Sequence, residues 1–187
     1  MTSRRVVIKY IYPENPLYDY CAFMSDSANN LYREIHFRQE KLISSRTKSR
    51  DSLTDEEKLV LDEIDSFIPG TRTFTYSKLS RLLKSSKNSA YYRKGFPRNS
   101  AQRVVRHAMQ ATKNRPLPAF YYIPCFIEGN DCKVEGETVR FPHTKHTLDV
   151  RVEGDLKEVK IEPSEGAYKI SLISEVVIEP WSLVVAE

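Results

Sequence analysis

No aspartate or glutamate occurs between Thr71 and Arg115, although the chain of 187 residues contains 25 acidic residues. That gap holds twelve lysines and arginines. By contrast, 51–70 carries one base against seven acids, 116–187 seven against thirteen, and 1–50 nine against five. The formal net charge of +4 therefore conceals a window of +12. Cations without carboxylates among them repel one another, and such a field is the footprint of a surface that meets a polyanion, nucleic acid first of all. Long apolar runs are also missing: nothing approaches the ~20 residues that cross a bilayer, so no transmembrane helix and no membrane partner is expected. The basic start, Met1 to Lys9, has only three consecutive apolar residues and no small-residue cleavage site after them, so no signal peptide is expected and the compartment is read as the cytoplasm. Three cysteines, Cys21, Cys125 and Cys132, are odd in number and too few for a disulfide framework, which fits a reducing compartment.

Glycine is scarce, at six residues, and no Gly-x-Ser-x-Gly elbow or phosphate-cradling glycine loop can be written. Cys125, Cys132, His143 and His146 could be set down as four zinc ligands, but six residues between the cysteines and two between the histidines miss the usual spacings. The expectation is a buried thiol and two surface histidines, with no metal and no cofactor. Glu56-Glu57 and Asp62-Glu63 read as solvated charges near the positive end of a capped helix. A two-metal nuclease centre would need three or four acidic groups converging from separate strands, and the acids of the second half fall at outward alternating positions. No catalytic residue is expected, and a nuclease working through an unrecognised carboxylate site ranks behind the binding readings below.

The order of elements points to an α+β chain. A first strand spans Arg4 to Tyr12, stopped by Pro13 and Pro16. Apolar or small residues at Leu17, Cys21, Met24, Ala28, Leu31, Ile35 and Leu42 then mark one stripe of a helix over Leu17 to Ile43. Ser44 to Arg50 reads as a mobile basic loop. Thr54 with Glu57 makes a capping box for a short helix whose inner face is Leu59, Val60, Ile64 and Phe67, ended by Pro69-Gly70. Tyr76 to Leu83 is a third helix, with Leu79, Leu82 and Leu83 inward, and Ser85 to Gly95 a loop. Asn99 caps a fourth helix to Lys113, with Ala101, Val104, Val105, Ala108 and Met109 inward and Arg103, Arg106, Gln110 and Lys113 on the other side.

From Pro116 the period becomes two, and proline and glycine punctuate short runs. The strands expected are Ala119 to Ile123, Lys133-Val134 paired with Thr138 to Phe141, Thr147 to Val152, Leu156 to Glu162, Ala167 to Ile178 and Trp181 to Val185. Turns at Glu153-Gly154-Asp155 and Pro163 to Gly166 join consecutive strands. Leu148, Val150 and Val152 alternate with Asp149, Arg151 and Glu153, the pattern of a sheet wet on one face. Together with the isolated first strand this suggests a small antiparallel β-barrel, OB-like or sandwich-like, interrupted after its first strand by a helical insertion. The boundaries are 1–14 for the first strand, 15–115 for the insertion and 116–187 for the rest of the barrel.

Within the basic window Lys84, Lys87, Arg93, Lys94 and Arg98 are interleaved with Tyr91, Tyr92 and Phe96. Cations for phosphates thus lie beside flat rings on which bases can stack, a combination suited to RNA or single strands. The bland alternative is that the rings pin the loop to the helices while the cations are solvated.

Two segments, Asn29-Asn30-Leu31-Tyr32-Arg33 and Tyr91-Tyr92-Arg93-Lys94-Gly95-Phe96-Pro97-Arg98-Asn99-Ser100-Ala101-Gln102-Arg103-Val104-Val105, resemble the N-terminal half of the TnpB family. Those are RNA-guided nucleases of insertion sequences, related to type V CRISPR effectors. The stretches Thr138 to Pro142, Val159 to Pro163 and Tyr168 to Leu172 are similar to the family's barrel. The resemblance implies a wedge barrel with a helical recognition insertion that binds guide RNA and its duplex with target DNA. The family's RuvC-like nuclease and zinc ribbon have no counterpart here. The resemblance therefore implies a noncatalytic, transposon-associated module holding a structured guide RNA. Its further partners would be target DNA duplex or RNA–DNA heteroduplex, and a separate RuvC-like nuclease chain or a second copy. Arg93, Lys94, Arg98, Arg103, Arg106 and Lys113 would contact phosphates, Tyr91 and Tyr92 would stack on bases, and Arg4, Arg5 and Lys9 would extend the cationic surface. The strip Trp181 to Val185 would dock the nuclease chain. The competing class is a sequence-specific duplex DNA repressor with the 99–113 helix in the major groove.

Overall fold

A computed structural model of the chain describes residues 1–70, 74–86, 89–111 and 122–179. The order of elements is β1 (Thr2–Ile11), α1 (Tyr18–Ser45), α2 (Asp55–Phe67), α3 (Tyr76–Ser85), α4 (Arg98–Ala111), β2 (Cys125–Glu128), β3 (Lys133–Glu135), β4 (Thr138–Arg140), β5 (Thr147–Asp149), β6 (Asp155–Ser164) and β7 (Ala167–Val177). The chain is α+β, and it divides into two compact units, Met1–Asp26 with the described residues from Pro124 onward, and Ser27–Ile123. Helix α1 supplies its first turns to one unit and the rest to the other. Among the described residues no helix is long and apolar enough to cross a membrane.

The strand-rich unit contains two antiparallel sheets, one ordered β1-β7-β6-β2 and one β3-β4-β5. Alternation explains the first. Ile127, Val159, Leu172 and Val7 form one row across its four strands, Cys125, Ile161 and Ile170 form another across three, and all of these but the half-buried Val7 are buried. Full burial of such a side chain contributes on the order of 2 kcal/mol. The opposite rows are mixed: Glu128-Glu158 and Glu162-Lys169 are polar, and across β7 and β1 these rows continue into Ile173 and Val6 and into Tyr10. Tyr18 packs edge-on against Tyr168 at 5.2 Å between ring centroids, Tyr20 stacks on Phe141 at 5.9 Å, and the Tyr20 hydroxyl donates to the Pro142 carbonyl at 2.9 Å. Those contacts hold the first turns of α1 on the sheets. A Cβ at Gly129 would collide with the Leu156 carbonyl, so only glycine lets the turn before β3 approach β6.

Two expectations about this unit change. Tyr122 and Ile123 precede the strand, which begins at Cys125. The 153–155 and 163–166 turns do join consecutive strands, the first leading from β5 in one sheet to β6 in the other and the second joining β6 to β7. β5 ends at Asp149, three residues earlier than its alternation suggested, because Arg151 to Glu153 are already turning into β6. No ladder among the described residues closes either sheet on itself. Residues 119–121 and the strip from Trp181 to Val185 lie outside the described residues.

In the helical unit Leu42, Val60, Ile64 and Leu82 form a buried cluster joining α1, α2 and α3, with Leu61, Phe67, Ile68 and Phe74 packed against it. Thr54 caps α2: its hydroxyl accepts from the Glu57 N–H at 3.2 Å while the Glu57 carboxylate accepts from the Thr54 N–H at 2.9 Å. Leu59, assigned above to the inner face, is exposed. It precedes Val60 by one residue, 100° round the helix, and the inward stripe runs through Val60 and Ile64. The segment Ser44 to Arg50 is also more ordered than its composition suggested. α1 runs to Ser45, and Lys48 pairs with Glu57 at 2.7 Å.

Asn29 and Glu34 fasten the unit. The Asn29 amide donates to the Ile123 carbonyl at 3.2 Å and accepts from the Ile123 N–H at 3.0 Å, satisfying a buried peptide 94 residues away. Leu31 and Tyr32 beside it are buried, and Arg33 lies over the Tyr122 ring at 5.7 Å. One Glu34 oxygen accepts from the Ala90 N–H at 3.0 Å and the other pairs with Arg38 at 3.2 Å. Arg38 in turn forks onto Glu63 of α2 at 2.9 and 3.1 Å.

Candidate nucleic-acid interface

The link between α3 and α4 builds a concave site. Lys84 sits in the last turn of α3, where a cation suits the negative end of the helix dipole. Ser89 accepts from the Tyr91 N–H at 3.2 Å and starts a 3-10 turn over Ala90–Tyr92. A second turn follows, closed by the Phe96 N–H donating to the Arg93 carbonyl at 2.9 Å. Its third residue, Gly95, has φ of 86°, the left-handed region that a side chain disfavours. Phe96 and Pro97 then turn inward and α4 begins at Arg98. Asn99 therefore lies in the first turn of α4 and does not precede it as a cap.

Two adjacent tyrosines receive opposite environments. Tyr91 is 3% exposed and Tyr92 is 56% exposed, their rings meeting edge-on at 5.2 Å. Tyr91 and Phe96 are thus walls of the site, and Tyr92 is the ring it offers. Lys84, Tyr91, Tyr92, Arg93, Phe96 and Arg98 line a concavity of about 260 Å³. That is below the ~300–1,000 Å³ of ordinary small-molecule sites. It suits one flat ring with charge at its rim rather than an enclosed cofactor. Lys94 is exposed in the same turn. Among the described residues, no carboxylate forms a salt bridge with Lys84, Lys94, Arg98 or Arg106.

The stripe along α4 is less free than its spacing suggested. Arg106 is exposed but lies over the Tyr76 ring of α3 at 5.6 Å, and Arg103 is half-buried. Burial, reinforced by the positive charge of Arg103, lowers the His107 pKa and favours its neutral form. Lys113, like Lys87, lies outside the described residues.

Arg4, Arg5 and Lys9 belong to the strand-rich unit and are exposed on β1, on two different faces. Arg4 lies opposite Glu175 in the sheet and lines a depression with Glu128, Glu158, Lys157 and Glu175, so carboxylates outnumber cations around it. Phosphate would be repelled there. Arg5 and Lys9 alternate with Val7 on the other face. A second concavity, about 420 Å³, lies at the α1–α2 connection between Arg46, Lys48, Arg50 and Lys58 on one hand and Asp62 and Asp65 on the other. Two carboxylates offset part of its positive charge, Lys48 is engaged by Glu57, and no aromatic ring lines it, so it lacks the stacking chemistry of the smaller site.

The thiols are not poised as nucleophiles. Burial pushes Cys21 and Cys132 up to about 12, and Cys125 higher still, so all three stay protonated at neutral pH. Among the described residues no three histidine, cysteine or acidic side chains gather as a metal site. Sequence spacing gave no signal for Glu34 under the 90–92 turn, for Tyr76 beneath Arg106 or for Asn29 on Ile123, since each joins segments far apart in the chain. No family model and no curated protein matches this chain.

Proposed function

We propose that this chain is a noncatalytic RNA-binding module, similar to the wedge and recognition half of a TnpB-like RNA-guided effector. In this reading it works in the cytoplasm on a structured guide RNA, and a separate RuvC-like chain supplies the nuclease. The sheets serve as the barrel-like scaffold, and Arg93, Lys94 and Arg98, with Lys84, neutralise phosphates while Tyr92 stacks on an unpaired base. Arg103 and Arg106 extend the phosphate track along α4. One observation carries the reading: an exposed ring beside three cations at a small open concavity, in a stretch with no carboxylate of its own.

Anisotropy titrations of labelled structured RNA and of duplex DNA of equal length, run in parallel, test it. RNA should bind more tightly, and single-stranded bases should add to the affinity. Tighter binding to duplex DNA would replace this reading with the repressor reading, in which α4 enters the major groove. Incubation with magnesium and either nucleic acid should leave both uncut.

A further inference from the structure

We propose that β1 is a self-association edge, and that a second copy of this chain pairs with it antiparallel about a two-fold axis at Ile8. Among the described residues β1 pairs with β7 alone, through all ten of its residues, and its other edge is unpaired. Val6, Ile8, Tyr10 and Tyr12 are exposed at 54, 47, 50 and 54%. They lie at alternate positions, hence on one face. An edge with such an apolar face is a template for another strand, and Arg4, Arg5 and Lys9 are the charges that would blunt it, so the register decides whether they oppose one another.

The sequence of the strand selects both the occupant and the register. A two-fold axis normal to the sheet keeps each residue on its own face, so like faces meet. An axis at Arg5 or Lys9 sets like charges directly opposite, and an axis at Val7 sets Arg5 against Lys9; all three are unfavourable. An axis at Val6 avoids this but leaves Tyr12 without a partner. With the axis at Ile8, Ile8 meets Ile8 of the second copy, Val6 meets Tyr10, and Arg4 meets Tyr12, a cation over an aromatic ring. On the other face Arg5 meets Ile11 and Val7 meets Lys9. The four exposed apolar residues are all covered, and the two four-stranded sheets become one of eight strands. Arg5 and Lys9 of the second copy remain diagonal neighbours, so salt should tighten the dimer, the reverse of its effect on nucleic-acid binding.

Sedimentation of the full chain over a concentration series, with and without added salt, reads the association directly. A dimer strengthened by salt is expected. Ile8→Lys, which sets two lysines against each other at a half-exposed position, should weaken it by about tenfold or more with an unchanged circular dichroism spectrum. Register is read by mild oxidation. Opposite Cα atoms in an antiparallel pair lie roughly 4.5–5.5 Å apart, within disulfide reach. Ile8→Cys should therefore give a covalent dimer while Val6→Cys, which faces Tyr10, should not. Cys21 and Cys125 are buried, and the unsubstituted chain controls for Cys132. A chain that stays monomeric at every concentration overturns the proposal, as does equal crosslinking at positions 6 and 8. Neither outcome bears on RNA binding by the helical unit, so the two readings fail separately.

Discussion

The cations of this protein fall into two populations. Several of those outside the 74–111 stretch are matched: Arg38 with Glu34 and Glu63, Lys41 with Glu56, Lys48 with Glu57, Lys157 with Asp155 and Glu175, Lys160 with Glu162. Lys84, Lys94, Arg98 and Arg106 carry no such partner among the described residues. Exposed pairs are worth only ~0–1 kcal/mol, so the contrast says little about stability. Its meaning lies in the field. Matched charges cancel within a few ångströms, whereas unmatched ones project a positive potential that only counterions or a polyanion can neutralise. The contrast predicts two kinds of variant: loss of a matched cation harms the fold and spares binding, and loss of an unmatched one does the reverse.

Among the cations, the largest stability effect is expected at Arg38, which is mostly buried and pairs with two carboxylates. Arg38→Ala should cost about 2–3 kcal/mol in urea unfolding, at the low end for a buried pair because Glu63 is partly exposed. Binding per folded molecule should not change. Tyr92→Ala comes next and acts on the other side of the comparison. It should lower affinity for single-stranded RNA by about 1–3 kcal/mol while leaving the melting temperature within a degree or two. Tyr92→Phe should restore most of the affinity, because the ring and not the hydroxyl does the stacking. Tyr91→Ala, by contrast, should unfold the chain more readily, since its ring is buried.

A pH effect sharpens the matched side. A hydrogen bond from Lys48, then those from Ser44 and the Thr54 N–H, hold the Glu57 carboxyl down at about 2, against the usual 4.5. A carboxyl held low in the folded state stabilises above its unfolded value and ceases to do so as pH falls through its folded value. Acid unfolding followed by circular dichroism should therefore have a component between about pH 4.5 and 2. Lys48→Met should move that component to higher pH. The smallest effect belongs to Lys157→Ala in the strand-rich unit, an exposed cation whose loss should leave both the urea midpoint and RNA binding unchanged.

What could be read in the chain was local. The Thr54–Glu57 capping box, the buried row of α4 and the β3–β4 and β6–β7 hairpins follow from neighbours within four residues or from alternation, and the structure carries them. The Asn29 clamp joins positions 94 residues apart, and no periodicity announces such a partner. Nor could the sequence separate Tyr91 from Tyr92. Adjacent residues of one type have one propensity, and the 3-10 turn pinned by Glu34 decides which ring faces inward. The alternation of β1 did imply that Arg4 and Arg5 lie on opposite faces. That Arg4 lies among carboxylates depended on which strand pairs with it.

The most direct test of the central claim is the salt dependence of RNA binding by three proteins: the unsubstituted chain, Lys94→Ala with Arg98→Ala, and Lys157→Ala with Lys160→Ala. Each phosphate released should flatten the log–log slope by ~0.7–0.9. The account predicts a slope smaller by about 1.5 for the first pair, at unchanged stability, and an unaltered slope for the second. Equal slopes in all three, or a loss confined to the strand-rich pair, would contradict it.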